Sequence, residues 1–221
     1  MTYALFSGRL SKFTIVMIHI ESVTEDDVVL AFVKAEINSP FYGPKYQAQL
    51  ASLGASRETL IDNADLSDQP QNDLRKTLLR GARGYPDRFL FRNLPRDTAW
   101  RRVRLEPNEI VALKNGRFDN WIELTKGSRS VAQGAAEIAS GVAERSANAD
   151  IRKIAVGVKE IAEKVRAGHK FPELIVVKAT DGSLILLEGN TRATAYVLAE
   201  KSEPTEVFVG SSAQMKFWDW Y

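Results

Sequence analysis

Glu188, Gly189, Asn190, Thr191 and Arg192 carry the most chemistry for their spacing in this chain. They follow the apolar run Leu184–Leu187 and lead into the alanine-rich stretch Ala193–Tyr196, so the pattern predicts a strand that turns at a glycine into a helix. The first N–H groups of such a helix have no acceptor within it, and its dipole adds partial positive charge, so the turn attracts phosphate. Arg192 adds a planar cation with several donors, suited to phosphate or carboxylate. Gly189, Asn190, Thr191 and Arg192 are therefore candidate phosphate ligands. Glu188 is the adjacent acid, able to hold a metal ion or orient a nucleophile, and Glu188 with Arg192 forms the candidate catalytic pair. A second anion cradle is expected at Lys126, Ser128 and Arg129, on a Gly-Ser loop that precedes a helix.

Each of these residues also has a plainer role open to it. Gly189 fits the corner between a strand and a helix, Thr191 fits a helix N-cap, and Arg192 fits a pairing with a structural carboxylate. Lys126 and Arg129 fit a solvated loop. Of the two histidines, His169 stands beside a helix C-terminus, where a cation is favoured on structural grounds, and His19 lies in an apolar strand as a core or edge residue. Two separated histidines without a cysteine make no transition-metal ligand set. Mg²⁺ arriving with a nucleotide is the metal this reading admits.

The elements that must position these groups follow from the hydropathy pattern. A buried strand is expected over Phe13–Ile20, a run far shorter than the ~20 residues needed to span a bilayer. Thr24 with Glu25, Asp26 and Asp27 predicts a capped helix to about Ile37, stopped by Ser39-Pro40. Shorter helices are expected at Lys45–Leu53, Ser56–Ile61 and Gln71–Leu79, the last ended by Gly81. Arg102–Leu105 reads as a strand, Glu109–Leu113 as a strand or short helix, and Ser130–Ala143 as a small-residue helix. The clearest helix is capped by Asp150, carries Ile151, Ile154, Val158, Ile161 and Val165 on one face, and ends at Gly168. Glu173–Ala179, the turn Asp181-Gly182 and Ser183–Leu187 then form an antiparallel hairpin. A helix Thr191–Glu200 and a last strand Thr205–Val209 complete the chain's regular elements. The aromatic tail Phe217, Trp218, Trp220 and Tyr221 is expected to dock on its own domain or on a partner, with base stacking as the alternative.

Composition bounds the function. The 221 residues are 44% hydrophobic and 26% charged, as in a globular domain, and no helical stretch here reads as a membrane span. Thirty Lys and Arg against 28 Asp and Glu give a net charge of +2, so no basic field points to nucleic acid. The absence of cysteine removes disulfides, thiolate metal sites and a cysteine nucleophile, and fits a cytoplasmic location.

Taken with its surroundings, the order helix, proline, strand, Asp-Gly hairpin, strand, Gly189-Asn190-Thr191-Arg192, helix, strand resembles the core of the ParB/sulfiredoxin superfamily over roughly Ile151 to Gly210. Leu105 to Ala143 would supply its opening strand and helix. The resemblance implies an α+β fold, a ParB/sulfiredoxin-like core of small mixed sheet and helices over 99–221, preceded by a mainly helical extension with one strand over 1–98. It also implies that the Gly-x-x-Arg turn holds the phosphates of ATP or CTP with Mg²⁺, and that the 126–129 loop faces the same ligand. ParB proteins commonly have charged residues between the glycine and the arginine, where this chain has Asn190 and Thr191. Sulfiredoxin chemistry needs a cysteine, so sulfinic-acid reduction is excluded. Three functions follow: a nucleotide hydrolase or phosphotransferase; a nucleotide-switched module that contacts a protein partner or a second copy through its tail; and a DNA-associated ParB-like nuclease.

Overall fold

The computed structural model describes residues 18–221. The first helix, α1 (Glu25–Glu36), starts at a reciprocal cap: the Asp27 N–H donates to Thr24 Oγ1 (3.3 Å), and the Thr24 N–H donates to the Asp27 carboxylate (2.8 Å). That cap satisfies two N–H groups that a helix start otherwise leaves open. α2 (Gly43–Ser52) and a short π-helical turn (Glu58–Asp62) lead to α3 (Gln69–Arg83), which Asp68 caps and Gly84 ends at φ +78°. Gly81 does not stop α3 as its residue type suggests. It lies inside the helix, where a Cβ would come 2.3 Å from the Gln49 side chain of α2, so the glycine lets the two helices approach. The buried Arg75 of α3 donates to the carbonyls of Leu60 (2.9 Å) and Asp65 (2.8 Å), tying the helix to the π-helical turn and the loop after it. Where α1, α2 and α3 meet, the Tyr46 hydroxyl donates to Glu36 Oε2 (3.1 Å) and Arg83 Nε lies 3.4 Å from Glu36 Oε1.

The sheet has five strands in the order β1-β2-β5-β3-β4: β1 (Ile18–Val23), β2 (Ala99–Leu105), β3 (Leu174–Lys178), β4 (Leu184–Glu188) and β5 (Thr205–Ser211). All neighbours are antiparallel except β5 and β3, so the sheet is mixed and the fold is α+β. Alternation divides its side chains between two layers. Ile175, Val177, Ile185, Leu187 and Phe208 pack with Phe32, Leu79 and Phe91 of the N-terminal region. Leu174, Val176, Leu184, Leu186, Val207 and Val209 face α8 (Asn190–Leu198) and α4 (Pro107–Val111). Beyond them, α5 (Asp119–Leu124), α6 (Val131–Ala139) and α7 (Ala149–Arg166) pack with α8 in a third cluster.

Several sequence expectations change here. Of Phe13–Ile20, only Ile18 to Ile20 fall within the described residues, and they belong to an edge strand whose Ile18 is 54% exposed rather than to a buried one. β1 pairs with β2 on one side, and its Glu21 meets Arg102 of β2 at 3.1 Å. The core crosses the expected boundary at 98/99, because α1 and α3 cover one face of the sheet that β2 to β5 build. Of Glu109–Leu113, Glu109 to Val111 are helical and Ala112 and Leu113 lie past the helix end, since Pro107 starts α4 and the Glu106 N–H donates to the Glu109 carboxylate (2.8 Å). α6 ends at Ala139, before Gly141 at φ +72°, instead of running to Ala143. Asn148 rather than Asp150 caps α7, accepting the Asp150 N–H at 2.9 Å.

Candidate anion-binding site

α8 begins one residue earlier than its sequence suggests. Gly189, not Thr191, is its N-cap, in the left-handed conformation at φ +100°. A Cβ on Gly189 would come 2.5 Å from Leu174 Cδ2, so both backbone and space demand glycine. A glycine cap offers no side-chain acceptor. The first main-chain bond of the helix runs from the Ala193 N–H to the Gly189 carbonyl (2.8 Å), so the N–H groups of Asn190, Thr191 and Arg192 have no acceptor within the helix. Asn190 bends away from capping: its Oδ1 accepts the Gly116 N–H (3.3 Å). The Thr191 methyl packs towards Gly157 of α7, 3.8 Å from where a Cβ would stand.

Arg192 and Glu188 find each other. Arg192 is 6% exposed, and its Nη2 donates to Glu188 Oε2 across one turn while Nη1 donates to the carbonyls of Pro172 and Glu173 (3.1 Å to the latter). Burial lowers the Arg192 pKa from its ordinary value, and the charges of Tyr196, Glu173 and Glu36 act against that pull. The guanidinium joins the end of β4, the start of α8 and the approach to β3. The expected catalytic pair is thus an internal ion pair.

The second cradle divides. Lys126 Nζ donates to Glu137 Oε1 of α6 (2.6 Å), and that bond is the main cause holding the Glu137 carboxyl below its usual range. Ser128 Oγ donates to the Thr125 carbonyl (2.9 Å) and accepts the Ser130 N–H (3.2 Å). Arg129, at φ +59°, takes a different path. Its Nε donates to the Asn115 carbonyl (2.8 Å) and its Nη1 to the main-chain oxygen of Tyr221 (2.9 Å), while Nη2 is buried with no partner. No Asp or Glu side chain pairs with it among the described residues. Burial first, and the charge of Arg117 second, lower its pKa.

The strip that joins Arg129 to α8 was not apparent from the sequence. Lys114 bridges β4 in parallel, its N–H donating to the Leu184 carbonyl (2.9 Å) and its carbonyl accepting the Leu186 N–H (2.8 Å). Residues 114–116 therefore run beside β4 towards Gly189, and the Asn115 N–H donates to the Arg129 carbonyl (2.7 Å). Since Lys114 pairs with Ile185, alternation sets Asn115 on the Leu186 face, the one α8 covers. Asn115 is fully buried, and neither Oδ1 nor Nδ2 has a hydrogen-bond partner. Buried amides are nearly always paired, so two open positions here ask for an explanation. The only sequence signal for this strip is the turn-forming Asn115-Gly116 dipeptide. Arg129 is thus linked to the start of α8 through Asn115, Gly116 and Asn190, whereas the hydrogen bonds of Lys126 and Ser128 run to Glu137, Thr125 and Ser130.

The tail closes this region. The Trp218 ring is 2% exposed with its Nε1 donating to the Leu90 carbonyl (2.8 Å), and the Trp220 ring lies 4.6 Å from that of Phe118. His169 follows Gly168 at the end of α7, its N–H donating to the Lys164 carbonyl, and His19 lies on the exposed edge strand. Among the described residues no group of three or more His, Asp or Glu side chains is placed to hold a metal ion, and no helix is long and apolar enough to cross a membrane. Comparisons with models of known protein families, with curated proteins and with solved structures gave no match.

Proposed function

We propose that this chain binds the phosphate groups of a nucleotide, ATP or CTP carrying Mg²⁺, at the start of α8, on a ParB/sulfiredoxin-like core. The observation that carries the reading is the fully buried, unpartnered Asn115 amide next to Gly116, whose N–H donates to Asn190 at that helix start; Arg129, which donates to the Asn115 carbonyl, keeps a second open donor at Nη2. A phosphate oxygen would accept from Asn115 Nδ2, from Arg129 Nη2 and from the N–H groups of residues 190–192, supplying the buried donors with the acceptor they lack, while Asn115 Oδ1 keeps an open acceptor position. The ligand set differs from the expected one, because Arg192 serves as the clamp that shapes the turn and Arg129 supplies the cation. With Glu188 and Arg192 holding each other, the site fits a binding module better than a hydrolase or phosphotransferase.

Thermal shift with Mg-ATP, Mg-CTP and inorganic phosphate tests it. A saturable rise in Tm is expected for a nucleotide, together with no phosphate release. Asn115→Leu is the decisive variant. It removes an unpaired buried amide, so the free protein is expected to gain stability by about 1 kcal/mol while the ligand shift disappears. An unchanged shift in Asn115→Leu, or no shift with any of the three, refutes the site.

A further inference from the structure

On the opposite side of the sheet, a cavity of about 380 Å³ opens between α1, β2 and the loop that joins α3 to β2. Its size falls within the roughly 300–1,000 Å³ of small-molecule sites. The floor is apolar and aromatic, built by Val28 and Phe32 of α1, Phe91, and Trp100 of β2. These side chains belong to the core, which fixes the shape of the floor.

Polar groups, Ser22, Glu25, Tyr85, Arg96, Thr98 and Arg101, share the lining with the apolar floor and differ by depth. Tyr85 and Glu25 both line the cavity, Tyr85 nine-tenths buried and Glu25 exposed at the first turn of α1. Burial first, then Glu25, pushes the Tyr85 hydroxyl above the usual tyrosine range, so it stays protonated as a neutral partner beside a carboxylate. Arg96 and Arg101 stand at the exposed mouth, and Arg96 already meets Asp87 at 3.7 Å. An acid set against aromatic faces is complementary to a cation that donates hydrogen bonds, since ring faces attract cations and the carboxylate accepts.

We propose that this cavity binds a small arylalkyl amine, its ammonium held by Glu25 and Tyr85 and its ring on the Phe32, Phe91 and Trp100 floor. The site is separate from the start of α8 and does not depend on nucleotide binding there.

Three probes with one ring and different charge test the assignment: phenethylamine, ethylbenzene and 3-phenylpropionate, titrated by calorimetry and by NMR of the Trp100 indole N–H. Phenethylamine is expected to bind at least tenfold more tightly than 3-phenylpropionate, with the Trp100 signal shifting. Glu25→Gln is expected to weaken phenethylamine about tenfold, the worth of one hydrogen bond to a charged group. Glu25 lies at the exposed first turn of α1, so ethylbenzene should bind that variant as it binds the native chain, which shows the cavity intact. Tyr85→Phe gives a second reading of the same polar end. Tighter binding of 3-phenylpropionate, equal binding of phenethylamine to Glu25→Gln, or no shift at Trp100 with any probe overturns the proposal.

Discussion

Replacing Arg192 by alanine is the sharpest test of how this site is built. The substitution removes the partner of Glu188 and leaves the carbonyls of Pro172 and Glu173 without their donor, in a place where Arg192 itself is 6% exposed. Removing one member of a buried ion pair costs about 3–5 kcal/mol, and a hydrogen bond to a charged group is worth about 1.5–3 kcal/mol. The two figures overlap, because the same guanidinium is counted in both, so the expected loss is about 3–5 kcal/mol. For a chain of this length each kcal/mol moves Tm by about 2–4 °C, which gives a fall of roughly 6–20 °C. Total stabilities run to only about 5–15 kcal/mol, so Arg192→Lys should be measured alongside; it keeps the charge, loses the fork and should fall between the two. The double variant Arg192→Met with Glu188→Leu removes both charges and should recover part of the loss, the two carbonyls accounting for the remainder. Urea denaturation of the four proteins decides the matter. If Arg192→Ala loses under about 1 kcal/mol, the guanidinium is not holding the fold and the clamp argument fails.

Two further predictions concern the core. Burial pushes Glu36 up to about 7, outweighing the opposing pull of Arg83, the Tyr46 hydrogen bond, Arg192 and Lys45. A folded pKa above the unfolded 4.5 means the native state holds more protons between those values, so stability falls as pH rises from about 4.5 to 7, by roughly 3 kcal/mol from this group. Comparing denaturation midpoints at pH 5 and pH 8 should show that loss in the native chain and a smaller one in Glu36→Gln; equal losses would refute it. Trp218→Ala empties a buried ring site and leaves the Leu90 carbonyl without its donor, so about 3–5 kcal/mol should be lost in the same urea assay. A loss below 1 kcal/mol would mean the tail is not part of the core.

What could be read from the sequence was local. The cap at Thr24 and Asp27 joins residues three apart, and the Asp181-Gly182 turn is held by the Ser183 N–H donating to Asp181 Oδ1 (2.9 Å), so neighbours alone specify both. The strand, glycine and helix around Gly189 were legible for the same reason. For Arg192 the pairing with a structural carboxylate was legible, as one of two roles, and Glu188 is that partner; its bonds to Pro172 and Glu173 were not, because those residues come from the approach to a different strand. Asn115 was invisible for a further reason: its burial depends on β4 running beside residues 114–116, which no periodicity encodes. The edge position of β1 likewise follows from its pairing with β2 rather than from its own apolar residues.

The pairing of β2 with β5 sets an order of assembly. Trp100 waits for Gly210, and Leu90 waits for Trp218, 128 residues on. Local elements such as α1 and α3 can form early, but their apolar side faces strands that lie much later in the chain. During synthesis that surface, with Val28, Phe32, Leu79 and Phe91 on it, emerges before β3, β4 and β5 exist to cover it. Closing such long loops comes before the contacts that reward it, so folding should be slow compared with helical chains of equal stability. The half-built protein is then the sticky one, and its yield in a cell depends on how quickly the last third of the chain arrives.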